Sequence, residues 1–130
     1  MKGVLVTGSS GYLGSQVVAQ LAARDDVAVI ALDVRAPKLK LDRVSYEVAD
    51  IRAAEVDAIV SRHRPDVVVH LASIVTPGKD SNREFEYSVD VDGTRKLLES
   101  CVRHGVRRVI VSSSGAAYGY HADNPEWLTE

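Results

Sequence analysis

The chain has 130 residues, of which 45% are hydrophobic and 26% are charged, and its formal net charge at pH 7 is −2. That length and composition are typical of one globular domain with a core of its own, and we treat residues 1–130 as one domain. The small net charge gives no reason to expect nucleic acid or an acidic membrane as a partner, and no apolar run approaches the roughly 20 residues that span a bilayer.

Apolar runs of strand length alternate with segments of helical period along the chain. The pattern predicts strands at 3–7, 27–33, 44–50, 66–73 and 106–114, and helices at about 11–24, from about 51 to 64, and at about 81–104. Pro65 is expected to end the second helix and Gly105 the third. This alternation predicts an α/β fold built from βαβ units with a parallel sheet.

Right-handed crossovers would arrange these five strands as a doubly wound (Rossmann) sheet in the order 3-2-1-4-5. In such a sheet, ligands bind at the carboxyl ends of strands one and four, where the winding reverses. The glycines after Thr7, the acid Asp33, residues 70–73 and the serines at 112–114 all fall at this edge. We therefore expect a ligand site there.

The segment VTGSSGYLG places Gly8, Gly11 and Gly14 directly after the first strand and at the start of a helix. Gly8 would permit a tight turn, Gly11 would let the backbone approach a pyrophosphate, and Gly14 would let the helix pack against the sheet. The helix N-terminus would offer N–H groups to the phosphates. An ordinary turn with accidental glycines is the alternative, but the flanking strand and helix favour a dinucleotide site.

Two acidic residues end later strands. Asp33 ends the second strand, where a carboxylate can accept both ribose hydroxyls of adenosine and would repel a 2′-phosphate, which favours NAD over NADP. Capping of a turn is the alternative role for Asp33, and Arg35 could soften the preference by reaching a phosphate. Asp50 ends the third strand and could contact the adenine amino group or serve as the N-cap of the next helix.

Taken in order, these motifs resemble the extended short-chain dehydrogenase/reductase superfamily, in its NAD-dependent epimerase/dehydratase branch. The pattern T-G-x-x-G-x-x-G corresponds to residues 7–14, D-[IVL]-R to 50–52, H-x-A-[AG] to HLAS at 70–73, N-V-x-G-T to DVDGT at 90–94, and S-S-x-x-x-Y-G to SSGAAYG at 113–119. The resemblance covers essentially the whole chain. It implies the N-terminal, cofactor-binding part of the family's fold, truncated before the last strands and the substrate-binding part.

The resemblance implies NAD as the cofactor and suggests which residues contact it. They are Gly8, Ser10, Gly11, Tyr12, Leu13, Gly14, Asp33, Val34, Arg35, Asp50, Ile51, Leu71, Ala72, Ser73 and Asp90. Ser114 would take the family's catalytic serine role and hydrogen-bond the substrate oxygen that is oxidised or reduced. For Ser112 we prefer the role of a polar strand end, and for His70 structural support of its loop. Nothing in the sequence has metal-ligand spacing.

Two features depart from the family pattern. No Tyr-x-x-x-Lys occurs in the sequence, so the resemblance implies that this acid/base pair lies beyond Glu130 and that the chain alone is inactive. Asp90 stands where the family has asparagine, and an ionised carboxylate accepts hydrogen bonds but cannot donate them. A polar helix position beside Gly93 is therefore the alternative to an active-site role for Asp90.

The predicted function is hydride transfer between a substrate carbinol carbon and nicotinamide, on a nucleotide-sugar or a related hydroxyl compound. The alternative is a non-catalytic NAD(P)-binding module or redox sensor, which Asp90 and the missing Tyr-Lys pair favour. Family members often pair through the helices flanking strands four and five, so a homodimer through the helix at 81–104 is implied. The single cysteine and the lack of a signal-peptide apolar region predict a cytoplasmic protein.

Overall fold

In the computed structural model, which describes residues 1–129, five strands form one sheet in the order β3-β2-β1-β4-β5. The strands are β1 at Lys2–Thr7, β2 at Val27–Asp33, β3 at Val44–Val48, β4 at Val67–His70 and β5 at Arg108–Val111. Each neighbouring pair is parallel, with Val4 of β1 opposite Val29 on one side and Val67 on the other. The predicted doubly wound order is therefore confirmed, with the reversal between β1 and β4.

Four α-helices lie between the strands. They are α1 at Tyr12–Ala22, α2 at Glu55–His63, α3 at Arg83–Tyr87 and α4 at Thr94–Arg103, and a π-helical segment at Ser88–Gly93 joins α3 to α4. The long helix predicted at 81–104 is thus one helical run interrupted by a wider turn. A 3₁₀ turn at Gly115–Tyr118 follows β5. Within residues 1–129, none of the helices has the length and apolar character of a membrane span.

The ends of the helices follow from local chemistry. Asn82 begins α3, because its side-chain oxygen accepts the Phe85 N–H at 2.8 Å. Arg64, in the left-handed region at φ 43°, ends α2 just before Pro65. Gly105, at φ 73°, follows α4 as predicted, since glycine adopts this conformation without a steric penalty.

Two apolar layers fill the space between the sheet and its helices. Successive side chains of a strand point to opposite faces, so neighbours such as Val4 and Leu5 enter different layers. The layer against α1 contains Val4, Val6, Val18, Val27, Val29 and Ala31. The layer on the other face includes Leu5, Ile30, Leu32, Val56, Ile59, Val60, Val68, Leu97 and Cys101. These layers support the sheet whose carboxyl edge carries the candidate site.

Candidate functional site

A cleft of about 760 Å³ opens at the carboxyl edge of the sheet, a size in the usual range for cofactor sites. Its lining includes the predicted residues Gly8, Gly11, Tyr12, Leu13, Gly14, Asp33, Val34, Arg35, Asp50, Ile51, Leu71, Ala72 and Ser73. They come from four segments that are far apart in the sequence. They meet because parallel strands present their carboxyl ends at one edge.

Three predicted site residues, Ser10, Asp90 and Ser114, lie outside this lining. The Asp90 Oδ1 accepts the Ile74 N–H at 3.0 Å and so supports the loop after β4. Ser114 caps the 3₁₀ turn, because its Oγ accepts the Ala116 N–H at 3.2 Å. Contact of any of the predicted residues with cofactor or substrate stays a prediction.

Sequence reasoning did not select nine of the lining residues. They are Thr7, Leu32, Ala49, Ile74, Val75, Thr76, Phe85, Val89 and Ser112. Thr7, Leu32 and Ala49 lie beside predicted strand ends, so their position alone is a usable signal. Ser112, which we preferred as a polar strand end, also borders the cleft. Phe85 comes from α3, and nothing in its sequence neighbourhood points to the cleft.

Close backbone packing shapes the glycine loop. Gly8 has φ 68°, and a Cβ there would stand 2.7 Å from the Ala72 backbone nitrogen, so a side chain would push away the loop after β4. A Cβ at Gly14 would overlap the Gly8 carbonyl. The absence of a side chain at Gly14 therefore lets α1 begin close to the loop. A Cβ at Gly11 would have only the Gly8 carbonyl oxygen within 4 Å, at 3.3 Å, so the backbone there is open to approach.

Asp33 is 9% exposed and holds the glycine loop beside the end of β2. Its Oδ2 accepts the Ser10 N–H at 2.9 Å, and its Oδ1 accepts the Arg35 N–H at 3.0 Å. The Ser10 Oγ also donates to the Arg35 carbonyl at 3.0 Å. A carboxylate has about four acceptor positions. About one position on each oxygen therefore remains for a ligand.

His70 is 3% exposed and links β1, β4 and α4. The Thr7 Oγ1 accepts the N–H groups of residues 71–72 at 3.1 and 3.2 Å, so its own hydrogen goes to His70 Nδ1 at 2.7 Å. His70 Nε2 must then carry the ring hydrogen and donates it to Thr94 Oγ1 at 2.8 Å. Burial lowers the pKa of His70, which nearby Asp90 opposes, and this geometry agrees with the predicted support of the loop.

Asp50 is held by Arg52. Its Oδ1 accepts the Arg52 backbone N–H and Nε, both at 2.9 Å, and its Oδ2 accepts Nη2 at 2.7 Å. These bonds to the guanidinium lower the pKa of the Asp50 carboxyl. The alternative role as N-cap is wrong, because α2 begins at Glu55 with Ala54 as its N-cap.

The sequence of the chain is similar to a known family profile and to known epimerases. The profile of the NAD dependent epimerase/dehydratase family matches residues 4–130. The dTDP-L-rhamnose 4-epimerase of Burkholderia thailandensis is 31% identical over 131 residues, covering 91% of this chain and 36% of that protein. The UDP-glucose 4-epimerase of Mycolicibacterium smegmatis is 34% identical over 125 residues, covering 88% of this chain and 40% of that protein.

The fold is also shared with solved structures. An epimerase from the thermophilic methanogen Methanothermobacter thermautotrophicus superposes with a TM-score of 0.83 and 32% identity, over 98% of this chain and 39% of that chain. Sequence profile, relatives and fold therefore agree with the resemblance that the motifs predicted. The chain belongs to the NAD dependent epimerase/dehydratase family, whose cofactor is NAD.

Proposed function

We propose that this chain forms the NAD-binding part of an enzyme that acts on a nucleotide-linked sugar, with epimerase-type chemistry. The chain spans 36% and 40% of the two curated relatives named above, so the activity of the whole protein is part of the proposal. Both relatives are 4-epimerases of nucleotide sugars, which supports this substrate class. The observation that carries the proposal is the partly satisfied Asp33 carboxylate beside an open glycine loop.

The Asp33 carboxylate suits the adenosine ribose of NAD. Each of its oxygens has one backbone donor and about one acceptor position left, and a ribose diol supplies two hydroxyl donors. A 2′-phosphate would bring negative charge against this buried carboxylate, which favours NAD over NADP. The Arg35 Nε lies 4.0 Å from Asp33 Oδ1, so part of its charge is already engaged by the carboxylate.

The start of α1 suits the pyrophosphate. Gly11 caps this helix without a side-chain hydrogen bond, and the first turn contains no acidic residue. The first N–H groups of the helix therefore offer donors and a positive dipole end to an anion. The open backbone face at Gly11 allows the close approach that such a contact requires.

Bound NAD would supply the hydride acceptor for oxidation of a sugar hydroxyl. Ser114 would hydrogen-bond the reacting sugar oxygen, as the resemblance implies. The chain contains no Tyr-x-x-x-Lys sequence, so we expect these 130 residues to bind NAD without turnover. A cytoplasmic location is also part of this proposal.

A homodimer through α4 is proposed on the same resemblance. The outward side of this helix region carries Val91, Leu98 and Val102, which are 37%, 39% and 84% exposed. They line a shallow groove that Arg95 and Arg103 also border. An apolar strip of this kind supports pairing of helices from two subunits.

Titration of the chain with NAD and NADP tests the proposal. We expect NAD to bind more tightly than NADP. Asp33→Asn should lower the affinity for NAD by about tenfold and reduce the preference for NAD over NADP, because hydrogen bonds to a charged group are lost. Asp25→Asn is the matched control, since Asp25 is an exposed residue that pairs with Arg43 away from the cleft. It should leave both affinities unchanged.

A second arm of the titration adds UDP-glucose to the NAD-saturated chain and follows formation of the 4-epimer. We expect binding of NAD without product. Absence of NAD binding in the unmodified chain would refute the proposal. Product formation would refute the expectation that these residues lack the acid/base pair.

A further inference from the structure

We propose that Arg52 is a positioning residue that sets base specificity at the adenine end of the cleft, by orienting Asp50 and Phe85. Asp50 and Phe85 line the cleft from two different parts of the chain, whereas Arg52 is not part of the lining. The inference rests on the proposed NAD-binding function. It adds a residue that would act on the cofactor without touching it.

Arg52 leaves Asp50 with one direction in which to accept a ligand. Three of the roughly four acceptor positions of the carboxylate are occupied, two on Oδ1 and one on Oδ2. The free position is therefore on Oδ2. An ionised carboxylate in a fixed orientation accepts the exocyclic amino group of adenine. It would disfavour hypoxanthine, which presents a carbonyl oxygen at the same place.

Arg52 also fixes the position of Phe85. The guanidinium carbon lies 5.0 Å from the centre of the Phe85 ring, within the range of a cation–π contact. The Arg52 Nη1 donates to Ser88 Oγ at 3.0 Å, and that hydroxyl donates to the Phe85 carbonyl at 2.6 Å. One guanidinium therefore holds the carboxylate, the aromatic ring and the first residue of the π-helical segment.

The α3 helix depends on the contacts of Arg52 with Phe85 and Ser88, because it has little core packing of its own. None of its five residues is buried, and Phe85 is 39% exposed. Lys96 of α4 holds Arg52 in place, because its Nζ donates to the Arg52 carbonyl at 2.8 Å. Removal of the Arg52 side chain would leave Asp50 with one backbone donor, free to rotate, and would release Phe85 from its cation–π partner.

The test compares binding of NAD with binding of nicotinamide hypoxanthine dinucleotide, which differs only in the base. We expect the unmodified chain to prefer NAD by about tenfold, the size of one hydrogen bond to a charged group. In Arg52→Ala the preference should fall to about twofold or less, with a larger loss of affinity for NAD than for the hypoxanthine analogue.

Arg24→Ala is a closely matched control. Arg24 binds Asp26 with the same fork, Nε to Oδ1 at 3.0 Å and Nη2 to Oδ2 at 2.9 Å, across the same two-residue spacing but away from the cleft. It should keep the full preference for adenine. Arg52→Lys should resemble Arg52→Ala, because an ammonium cannot form the fork or span from Asp50 to Ser88.

Ser88→Ala keeps the fork between Arg52 and Asp50 but removes the bond from Arg52 to the Ser88 hydroxyl, so we expect an intermediate preference for NAD over the hypoxanthine analogue. This variant tests the inference if Arg52→Ala does not fold. Retention of the tenfold preference in Arg52→Ala and Arg52→Lys, or in Ser88→Ala alone, would overturn the inference. Equal binding of both dinucleotides by the unmodified chain would overturn it too, while leaving the proposed NAD binding intact. Failure of the unmodified chain to bind NAD would refute both the proposed NAD binding and the inference about Arg52.

Discussion

The hydrogen bond between Thr7 and His70 decides the protonation of a buried ring next to the cleft. The Thr7 hydroxyl already accepts two backbone N–H groups, so it can only donate to Nδ1. A proton on Nδ1 would face the hydroxyl hydrogen and force Thr7 to release one of those backbone groups. The neutral ring is therefore part of the structure that holds residues 71–72 against Gly8.

This arrangement predicts a pH dependence of stability. Burial lowers the pKa of His70 in the folded chain below its ordinary value of 6.5. The unfolded chain therefore binds the proton first as the pH falls, so the contribution of His70 is complete above about pH 6.5 and is lost as the pH falls through the lower pKa of the folded state. Between pH 7.5 and pH 5.5, the free energy of unfolding measured with urea should change less in His70→Gln than in the unmodified chain.

His121→Gln is the control for this experiment, because His121 is exposed. It should keep the pH dependence of the unmodified chain. His63 and His104, which contact Glu47 and Asp57, are unchanged in all three proteins, so the comparison isolates the substituted residue. If the free energy of unfolding of His70→Gln depends on pH as strongly as that of the unmodified chain, the assignment of a neutral, structurally required ring is contradicted.

Among the elements, the junction between the π-helical segment and α4 lies against the cleft wall. Gly93 is buried at this junction, and a Cβ there would stand 2.7 Å from Ile51 Cγ2. Ile51 itself lines the cleft. The absence of a side chain at Gly93 thus lets the helix approach the wall that the proposed adenine end requires.

Gly93→Ala should therefore destabilise the chain and weaken NAD binding. Overpacking costs about 1–3 kcal/mol, and the gain that alanine usually brings to a helix offsets about 1 kcal/mol of this cost. We therefore expect a net loss of up to about 2 kcal/mol by urea unfolding. Gly78→Ala is the matched control, since no atom lies within 4 Å of a Cβ at that position. Equal stability of the two variants would show that the junction can relax away from Ile51.

In the whole molecule, β3 and β5 are the two outer strands of the sheet. β1, β2 and β4 have partners on both sides, whereas β5 is an outer strand with Ile110 50% exposed and Val111 49% exposed. An outer strand with apolar side chains and unpaired backbone groups is a surface on which another strand can pair. This surface lies close in the chain to Ser114, the predicted catalytic serine.

We therefore expect the isolated chain to self-associate as its concentration rises. Ile110→Lys should raise the concentration needed for association by about tenfold, because a charged side chain on an outer strand opposes pairing. Sedimentation velocity over a concentration series measures this, and Gln20→Lys on the exposed side of α1 controls for the added charge. Association that is equally reduced by both variants would point to net charge rather than to the strand.

Local patterns carried most of the fold. Strand and helix periodicity together with right-handed crossovers gave the strand order, because each depends on neighbouring residues and on one rule of chirality. The glycine loop and Asp33 were predictable for the same reason, since a strand end and a helix start position them locally. The π-helical segment at Ser88–Gly93 was not predicted, because the periodic pattern indicated one continuous helix at 81–104.

The sequence by itself determined the family, the sheet and the edge at which NAD is expected. Only the tertiary structure decided that Asp50 faces Arg52 rather than capping α2, that Phe85 of α3 lines the cleft, and that Asp90 supports the loop after β4. The physical reason is that contacts between residues distant in sequence, such as Arg52 with Ser88 and Asp90 with Ile74, hold these side chains in place. Those contacts depend on how the helical run at 83–103 packs across the sheet edge.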